Sequence, residues 1–342
     1  MLIGDNGQLT GAISGGCLEG ETLRKALLVM QHKKTMLVTF DSMDDDDSTL
    51  SIGLGCNGVV QILIEPVDFS DEKNPIEFLK KISERRQEAI LITLFSMDDK
   101  RGPQPGTVIL DTRVEKVFSK LSFHVAELFN SAITEVFQSR RSSIKDFKIE
   151  DRHLTAFIDY IVPPVSLIIA GAGNDVIPLV HMAQILGWKT TIVDGRPAYA
   201  KAERFASTCS VLNLEASKVA ENMDFDHRTV FLLMSHNYKY DLAVLGSLLQ
   251  KNISYIGLLG PKKKYEQMLR ELCENGIDVS PEKQSHIFSP MGLNIGAASP
   301  EEIALSIVSE IQSVLSAQDA LPLRNLENPM HQADRNSIEK IS

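Results

Sequence analysis

The sequence predicts an α/β protein of two domains, the second a Rossmann-like domain built on a mostly parallel sheet. Three observations carry this. First, residues 165–194 (VSLIIAGAGNDVIPLVHMAQILGWKTTIVD) read as strand, glycine turn, helix, strand. The apolar run 165–170 meets the turn Gly171-Ala172-Gly173. Val176, Ile177, Leu179, Val180, Ala183 and Leu186 then recur at helical spacing, Gly187 is a fitting C-cap, and 190–193 form a second strand. Second, strands at 229–234, 254–256 and 287–288 alternate with helical stretches, the pattern of a parallel sheet covered by helices. Third, Pro163-Pro164 stands directly before the βαβ unit, after a first half with strands and helices of its own. The expected domains are 1–150 and 151–323, followed by a loose tail at 324–342.

The chain has 342 residues, room for two cores, with 43% hydrophobic residues and a mean hydropathy of -0.04. No apolar run reaches membrane-spanning length, and the start MLIGDNGQLTG is unlike a signal peptide. A membrane role is therefore not expected. A net charge of -10 and pI near 5.4 argue against a general nucleic-acid binder. Cys17, Cys56, Cys209 and Cys273 are too dispersed for a disulfide framework or a CxxC zinc site, so a reducing cytoplasm is the expected setting.

The glycine fingerprint departs from G-x-G-x-x-G, because Val176 takes the third glycine position, where glycine lets helix and strand pack closely. Asp175 falls in the first helical turn. Its carboxylate is expected to use the N–H donors and positive dipole end that a phosphate would want. Asp194 is placed to accept hydrogen bonds from a ribose, and Arg196 to contact a phosphate. A nucleotide-like ligand is expected ahead of NAD(P) chemistry, with a purely structural turn as the alternative.

In the first domain, Leu2-Ile3 and 8–13 read as a hairpin around Asp5-Asn6-Gly7. SGGCLEG at 14–20 leads into a helix ending near His32, with Leu18, Leu23, Ala26, Leu27 and Met30 inward. A strand is expected at 36–40. The acidic run 44–47 reads as an exposed loop. A second Gly/Cys loop, SIGLGCNG at 51–58, opens onto a strand at 59–65. Both glycine loops can turn successive N–H groups toward an anion, a phosphate or the edge of a pterin. A thiol at a helix start, where Cys17 is expected, would have a lowered pKa. The plain alternative for Cys17 and Cys56 is a small buried hydrophobe. Beyond these come a helix at 75–86, strands at 89–95 and 107–110, one amphipathic helix over 122–137, a polar surface connection at 138–146, and a strand at 153–162.

In the second domain, His236 follows the strand 229–234, so Gly171, Asp194 and His236 each follow a parallel strand and are expected to share one crevice. His236 fits a base or ligand, and Asp241 a residue that orients it or caps the next helix. The run 262–264 reads as a solvated helix start, with phosphate neutralisation as the alternative. Cys209 and Cys273 are expected to be packed thiols. Ser299, Pro300 and Glu302 form a capping box, and Ile303, Ile307, Val308, Ile311 and Leu315 a buried stripe.

Taken together, SGGCLEG at 14–20, GLGCNG at 53–58, EP at 65–66, GAGNDVIPLVHMAQILGW at 171–188, VDGRPAYA at 193–200, SHNYKYD at 235–241, YIGLLGPKKK at 255–264 and PMGLNIGAASPEEIALSIVSEI at 290–311 resemble the XdhC/CoxI family. These are accessory proteins of molybdenum hydroxylases such as xanthine dehydrogenase. The resemblance covers nearly the whole chain. It implies an N-terminal XdhC/CoxI domain, a C-terminal Rossmann domain, and a cytoplasmic homodimer that binds molybdenum cofactor in its molybdopterin form. It further implies protection of the cofactor, sulfuration with a cysteine desulfurase partner, and delivery to a xanthine dehydrogenase-type hydroxylase. Family members usually carry some tens of residues before the part matching Leu2, including another Gly/Ser/Pro-rich stretch, so the pocket is expected to lack one wall. Asn237 stands where relatives often have Asp, which weakens a charge-relay reading of His236.

The implied cofactor-binding residues are Gly15, Gly16, Cys17, Glu19, Gly55, Cys56, Gly58, Gly171, Gly173, Asp194, Arg196 and His236. The glycine loops would hold the anionic pterin. Cys17 or Cys56 would stand near molybdenum, one added thiolate being enough to recognise a dithiolene-bound metal. The Rossmann crevice would take part of the cofactor or a separate nucleotide. A non-catalytic chaperone is expected. The rival readings are an NAD(P)-dependent oxidoreductase, a nucleotidyl-transfer enzyme, which needs Mg²⁺ between carboxylates and phosphate, and a structural dimerisation module.

Overall fold

The computed structural model describes residues 1–13, 18–41 and 59–326. The chain divides into two compact units at Pro163 and Pro164. The division falls after the expected 150/151 because the strand at 152–161 belongs to the first unit's sheet.

The first unit opens with the antiparallel hairpin β1 (Leu2–Ile3) and β2 (Leu9–Thr10), in which Gly4 N–H donates to Gln8 O. Helix α1 (Glu19–His32) buries Thr22, Ala26 and Val29. Leu27, expected inward, is 43% exposed, since it lies about 100° around the helix from Ala26. Strands β3 (Met36–Asp41) and β4 (Val59–Ile64) pair antiparallel. Helix α2 (Pro75–Glu84) starts at Asn74, whose side chain accepts from the N–H groups of Ile76 and Glu77.

Strands β5 (Ala89–Phe95), β6 (Gly106–Asp111), β7 (Lys116–Phe118), β8 (Ser143–Ile149) and β9 (Arg152–Ile161) make an antiparallel sheet in the order β7-β6-β5-β9-β8. The expected single helix over 122–137 is two, α3 (Phe123–Glu127) and α4 (Asn130–Ser139). Leu128 and Phe129 donate their N–H groups to Val125 O and Ala126 O, three residues back. That tight turn drops Phe129 into the core against Phe147, with ring centroids 4.5 Å apart. The expected surface connection at 138–146 is also corrected, because β8 begins within it. Its alternation buries Lys145, Phe147 and Ile149. A lysine on the inward face hides the period, and Lys145 is satisfied there by an ion pair with Glu135.

The second unit is a single parallel sheet of β10 (Ser166–Ala170), β11 (Lys189–Asp194), β12 (Ser210–Asn213), β13 (Thr229–Leu233), β14 (Tyr255–Leu258) and β15 (Ile287–Phe288), in the order β12-β11-β10-β13-β14-β15. This is the dinucleotide-fold order, reversing between β10 and β13. Helices α5 (Val176–Ile185) and α10 (Pro300–Leu315) contribute to one face's core, and α6 (Ala216–Val219), α7 (Tyr238–Leu248) and α8 (Lys262–Glu274) to the other's. A short α9 (Pro281–Gln284) precedes β15. The capping box of Ser299 and Glu302 forms as expected. Burial pushes the Cys209 thiol up to about 11. Cys273 is exposed rather than packed, because α8 turns Met268 and Leu272 inward instead. No described helix is long and apolar enough to cross a membrane.

Candidate functional site

The reversal of strand order brings the loops after β10 and β13 side by side. Gly171 has φ +127°, and a Cβ there would stand 2.3 Å from Met234 O. Only glycine allows this approach. Its N–H donates to Val193 O, while Met234 N–H donates to Ala170 O. The loops after three neighbouring strands are thus tied by main-chain bonds. Gly171, Gly173, Asp194, Arg196 and His236 all stand at this edge, as the sequence led one to expect. Val176, in place of the third glycine, is fully buried as the first residue of α5.

Asp194 is 2% exposed. Its Oδ2 accepts from Ala172 N–H at 2.9 Å and Arg196 Nη2 at 2.7 Å; its Oδ1 accepts from Arg196 N–H and Arg196 Nε, both at 2.9 Å. Burial works against the charged form. The side-chain and main-chain hydrogen bonds from Arg196, with that from Ala172, outweigh it and hold the carboxyl below its usual range. A carboxylate offers about four acceptor positions, and all are used internally. The ribose hydroxyl that Asp194 was expected to receive would have to displace one of these bonds. The carboxylate therefore does not fit the NAD(P) mode as it stands.

Asp175 makes no cap hydrogen bond to the N–H groups of its own helix, contrary to expectation. Its Oδ2 lies 2.8 Å from His236 Nε2, across from one loop to the other. His236 takes φ +55°, uncommon for a residue with a side chain. Asp241, expected to orient His236 or to cap the next helix, is fully buried and does neither. It accepts from Ser235 Oγ at 2.5 Å and from Lys264 Nζ at 2.8 Å. Lys264 is therefore a structural cation rather than a solvated one. Asn237 caps α7 by accepting from Tyr240 N–H.

Sequence reasoning missed Arg204. Its Nη1 donates to Ala172 O at 2.6 Å and Tyr199 O at 2.7 Å, and its Nη2 to Asn174 Oδ1 at 2.8 Å. Nothing local announces this, since Ala172 lies 32 positions away in sequence. Tyr199, also missed, has the Arg196 guanidinium 4.0 Å from its ring centroid and that of Arg204 at 5.6 Å.

In the first unit, Gly15, Gly16, Cys17, Gly55, Cys56 and Gly58, with the acidic run 44–47, lie outside the described residues. Glu19 is described, and its Oε1 accepts from Ile13 N–H at 3.4 Å. Glu65, from the EP pair, accepts from Thr107 N–H at 2.9 Å and Lys120 Nζ at 3.0 Å. Its carboxylate occupies the space a Cβ on Gly106 would need, 2.4 Å away. Glu65 thereby ties the end of β4 to β6. A cavity of about 750 Å³ lies among β1, β2, α1 and β4, with Ile3, Ile13, Ala26, Val29, Ile62 and Ile64 among its walls. Asp5, Gln8, Thr10 and Glu65 also line it, and its size and mixed apolar and polar lining suit a small organic ligand. Among the described residues, no group of three or more His, Cys, Asp or Glu is placed to hold a metal ion.

Comparison with known proteins gives a consistent picture. The family model for the XdhC Rossmann domain matches residues 167–311, and that for the XdhC and CoxI family matches residues 1–41. A probable xanthine dehydrogenase subunit from Bacillus subtilis is 27% identical over 311 residues, covering 91% of this chain and 86% of that protein. The molybdenum cofactor insertion chaperone PaoD of Escherichia coli is 21% identical over 320 residues, 93% of this chain and 78% of that one. A crystal structure described as a xanthine dehydrogenase from Bacillus halodurans superposes with a TM-score of 0.73 at 27% identity, covering 93% of this chain and 86% of that chain.

Proposed function

The chain belongs to the XdhC and CoxI family, and on that premise we propose that it is a molybdenum-cofactor accessory protein. It holds the cofactor as cargo, supports its sulfuration by a cysteine desulfurase, and delivers it to a xanthine dehydrogenase-type hydroxylase. The observation that carries this reading is the similarity to an insertion chaperone along 93% of the chain, through both units. The first-unit cavity supports it. The cavity's apolar walls on α1 and β4 suit a flat ring system, and Ile13 is among its lining residues. In this reading the N–H groups around Gly15, Gly16, Gly55 and Gly58 hold the anionic pterin, and Cys17 or Cys56 stands near molybdenum. The second unit favours the reading over a dehydrogenase, since Asp194 already spends its acceptors on Arg196 and Ala172.

The test is transfer. Cofactor-loaded protein is mixed with a cofactor-free hydroxylase of this class, with and without a cysteine desulfurase, and hydroxylase activity is followed. Activation beyond that given by free cofactor supports delivery, and a further gain with the desulfurase supports sulfuration. Equal activation with and without the protein contradicts the proposal. Cys17→Ala is expected to lose cofactor while keeping its fold, and unchanged retention would remove Cys17 from the site.

A further inference from the structure

We propose that the second unit binds the phosphate ester of a flat heteroaromatic ring, with Arg204 taking the phosphate and the Arg196–Tyr199 stack taking the ring. Arg196 is neutralised by Asp194, and His236 faces Asp175. Arg204 spends its donors only on neutral acceptors, namely two carbonyls and the Asn174 amide. Among the described residues no carboxylate pairs with Arg204. An arginine fixed in place without a counter-ion is prepared for an anion, and its planar fork suits phosphate.

The ring platform stands beside it. Arg196 is fixed by three hydrogen bonds to Asp194, and its guanidinium lies over Tyr199. Even so, the Arg196 side chain is 41% exposed and Tyr199 is 43% exposed. The turn carrying Tyr199 is set by the N–H groups of Tyr199 and Ala200, both donating to Arg196 O. A rigid, partly open guanidinium–aromatic stack favours flat rings. All three residues follow β11, at the carboxyl edge of the parallel sheet where such folds place ligands. Asp194 is not asked to read a ribose. The site would accept either a nucleotide or a phosphorylated pterin, because both present the same chemistry. It rests on second-unit residues alone and does not depend on the accessory reading.

The test is calorimetric titration of the full chain with adenosine, cytidine and guanosine 5′-monophosphates, a pterin phosphate, the matching nucleosides, and inorganic phosphate. At least one monophosphate is expected to bind about tenfold more tightly than both its nucleoside and inorganic phosphate. The preferred arm identifies the source. Arg204→Gln is expected to weaken that ligand about tenfold and Arg204→Lys less, reflecting loss of the planar fork. Tyr199→Leu keeps the carbonyl bonds of Arg204, so it tests the platform without releasing the loop; it is expected to weaken binding about fivefold. Binding by no phosphate ester, equal binding of nucleosides, or full affinity in both Arg204→Gln and Tyr199→Leu overturns the proposal. The titration uses no molybdenum cofactor, so its failure leaves the accessory reading standing, and the converse holds as well.

Discussion

Arg196 grips Asp194 with its main-chain N–H, its Nε and its Nη2, while the carboxylate also accepts from Ala172 N–H. The pair locks the end of β11 to the glycine loop after β10. In dinucleotide enzymes an acid at this place reads a ribose; here it holds the fold.

That difference has a pH signature. The folded carboxyl titrates below its ordinary range, so its stabilising contribution is complete above about pH 3.9 and is lost as pH falls through the folded value. In Arg196→Leu, burial acts on the carboxyl largely unopposed and raises its pKa. The variant is expected to lose about 2 kcal/mol at neutral pH, less than a fully buried pair because Arg196 is partly exposed. The gap should narrow as pH falls through the variant's raised value and close in acid. Urea midpoints from pH 7 to pH 3 check this, and a constant gap would contradict it.

Asp241 is fully buried and pairs with the half-buried Lys264. Asp241→Ala leaves the Lys264 ammonium without its anion and is expected to cost about 3 kcal/mol. Asp241→Leu combined with Lys264→Met should recover much of that loss. A double variant as unstable as Asp241→Ala would show that the pair does more than neutralise itself. Thermal unfolding of the three proteins decides.

The contact between His236 and Asp175 is exposed by comparison, and Asp175→Asn is expected to change stability by less than about 1 kcal/mol. Its effect should be local. Amide resonances of 171–175 and 235–237 should shift together, because the pair links those two loops. Shifts confined to one loop would contradict the link.

Gly106→Ala should destabilise the first unit, for the added methyl meets the Glu65 carboxylate and φ is +79°. Adding Glu65→Ala removes the steric part and leaves the backbone cost of about 1–2 kcal/mol. Denaturant unfolding of the single and double variants separates the two. If Glu65→Ala gives no relief, the clash is not with Glu65.

The elements of the second unit were legible because they are local. The apolar run before Gly171, the helical spacing after Val176 and the capping box at Ser299 each depend on neighbours in sequence. The crevice partners were not. Asp175 pairs with His236 and Arg204 with Ala172 through contacts that exist only once strand order is fixed. Asp241 shows the same limit, since proximity in sequence pointed to His236 while the fold turned it to Ser235 and Lys264. In the first unit, Lys145 on an inward position concealed β8, and the tight turn at Leu128 and Phe129 split a helix whose apolar spacing ran unbroken.

The most direct measurement is the molybdenum and oxidised-pterin content per chain after anaerobic purification from a molybdopterin-producing host. Close to one pterin per chain is expected for the parent protein, with Cys17→Ala and Cys56→Ala as the comparison that assigns the contact. Pterin and molybdenum no higher than in an unrelated protein purified alongside would contradict the accessory role.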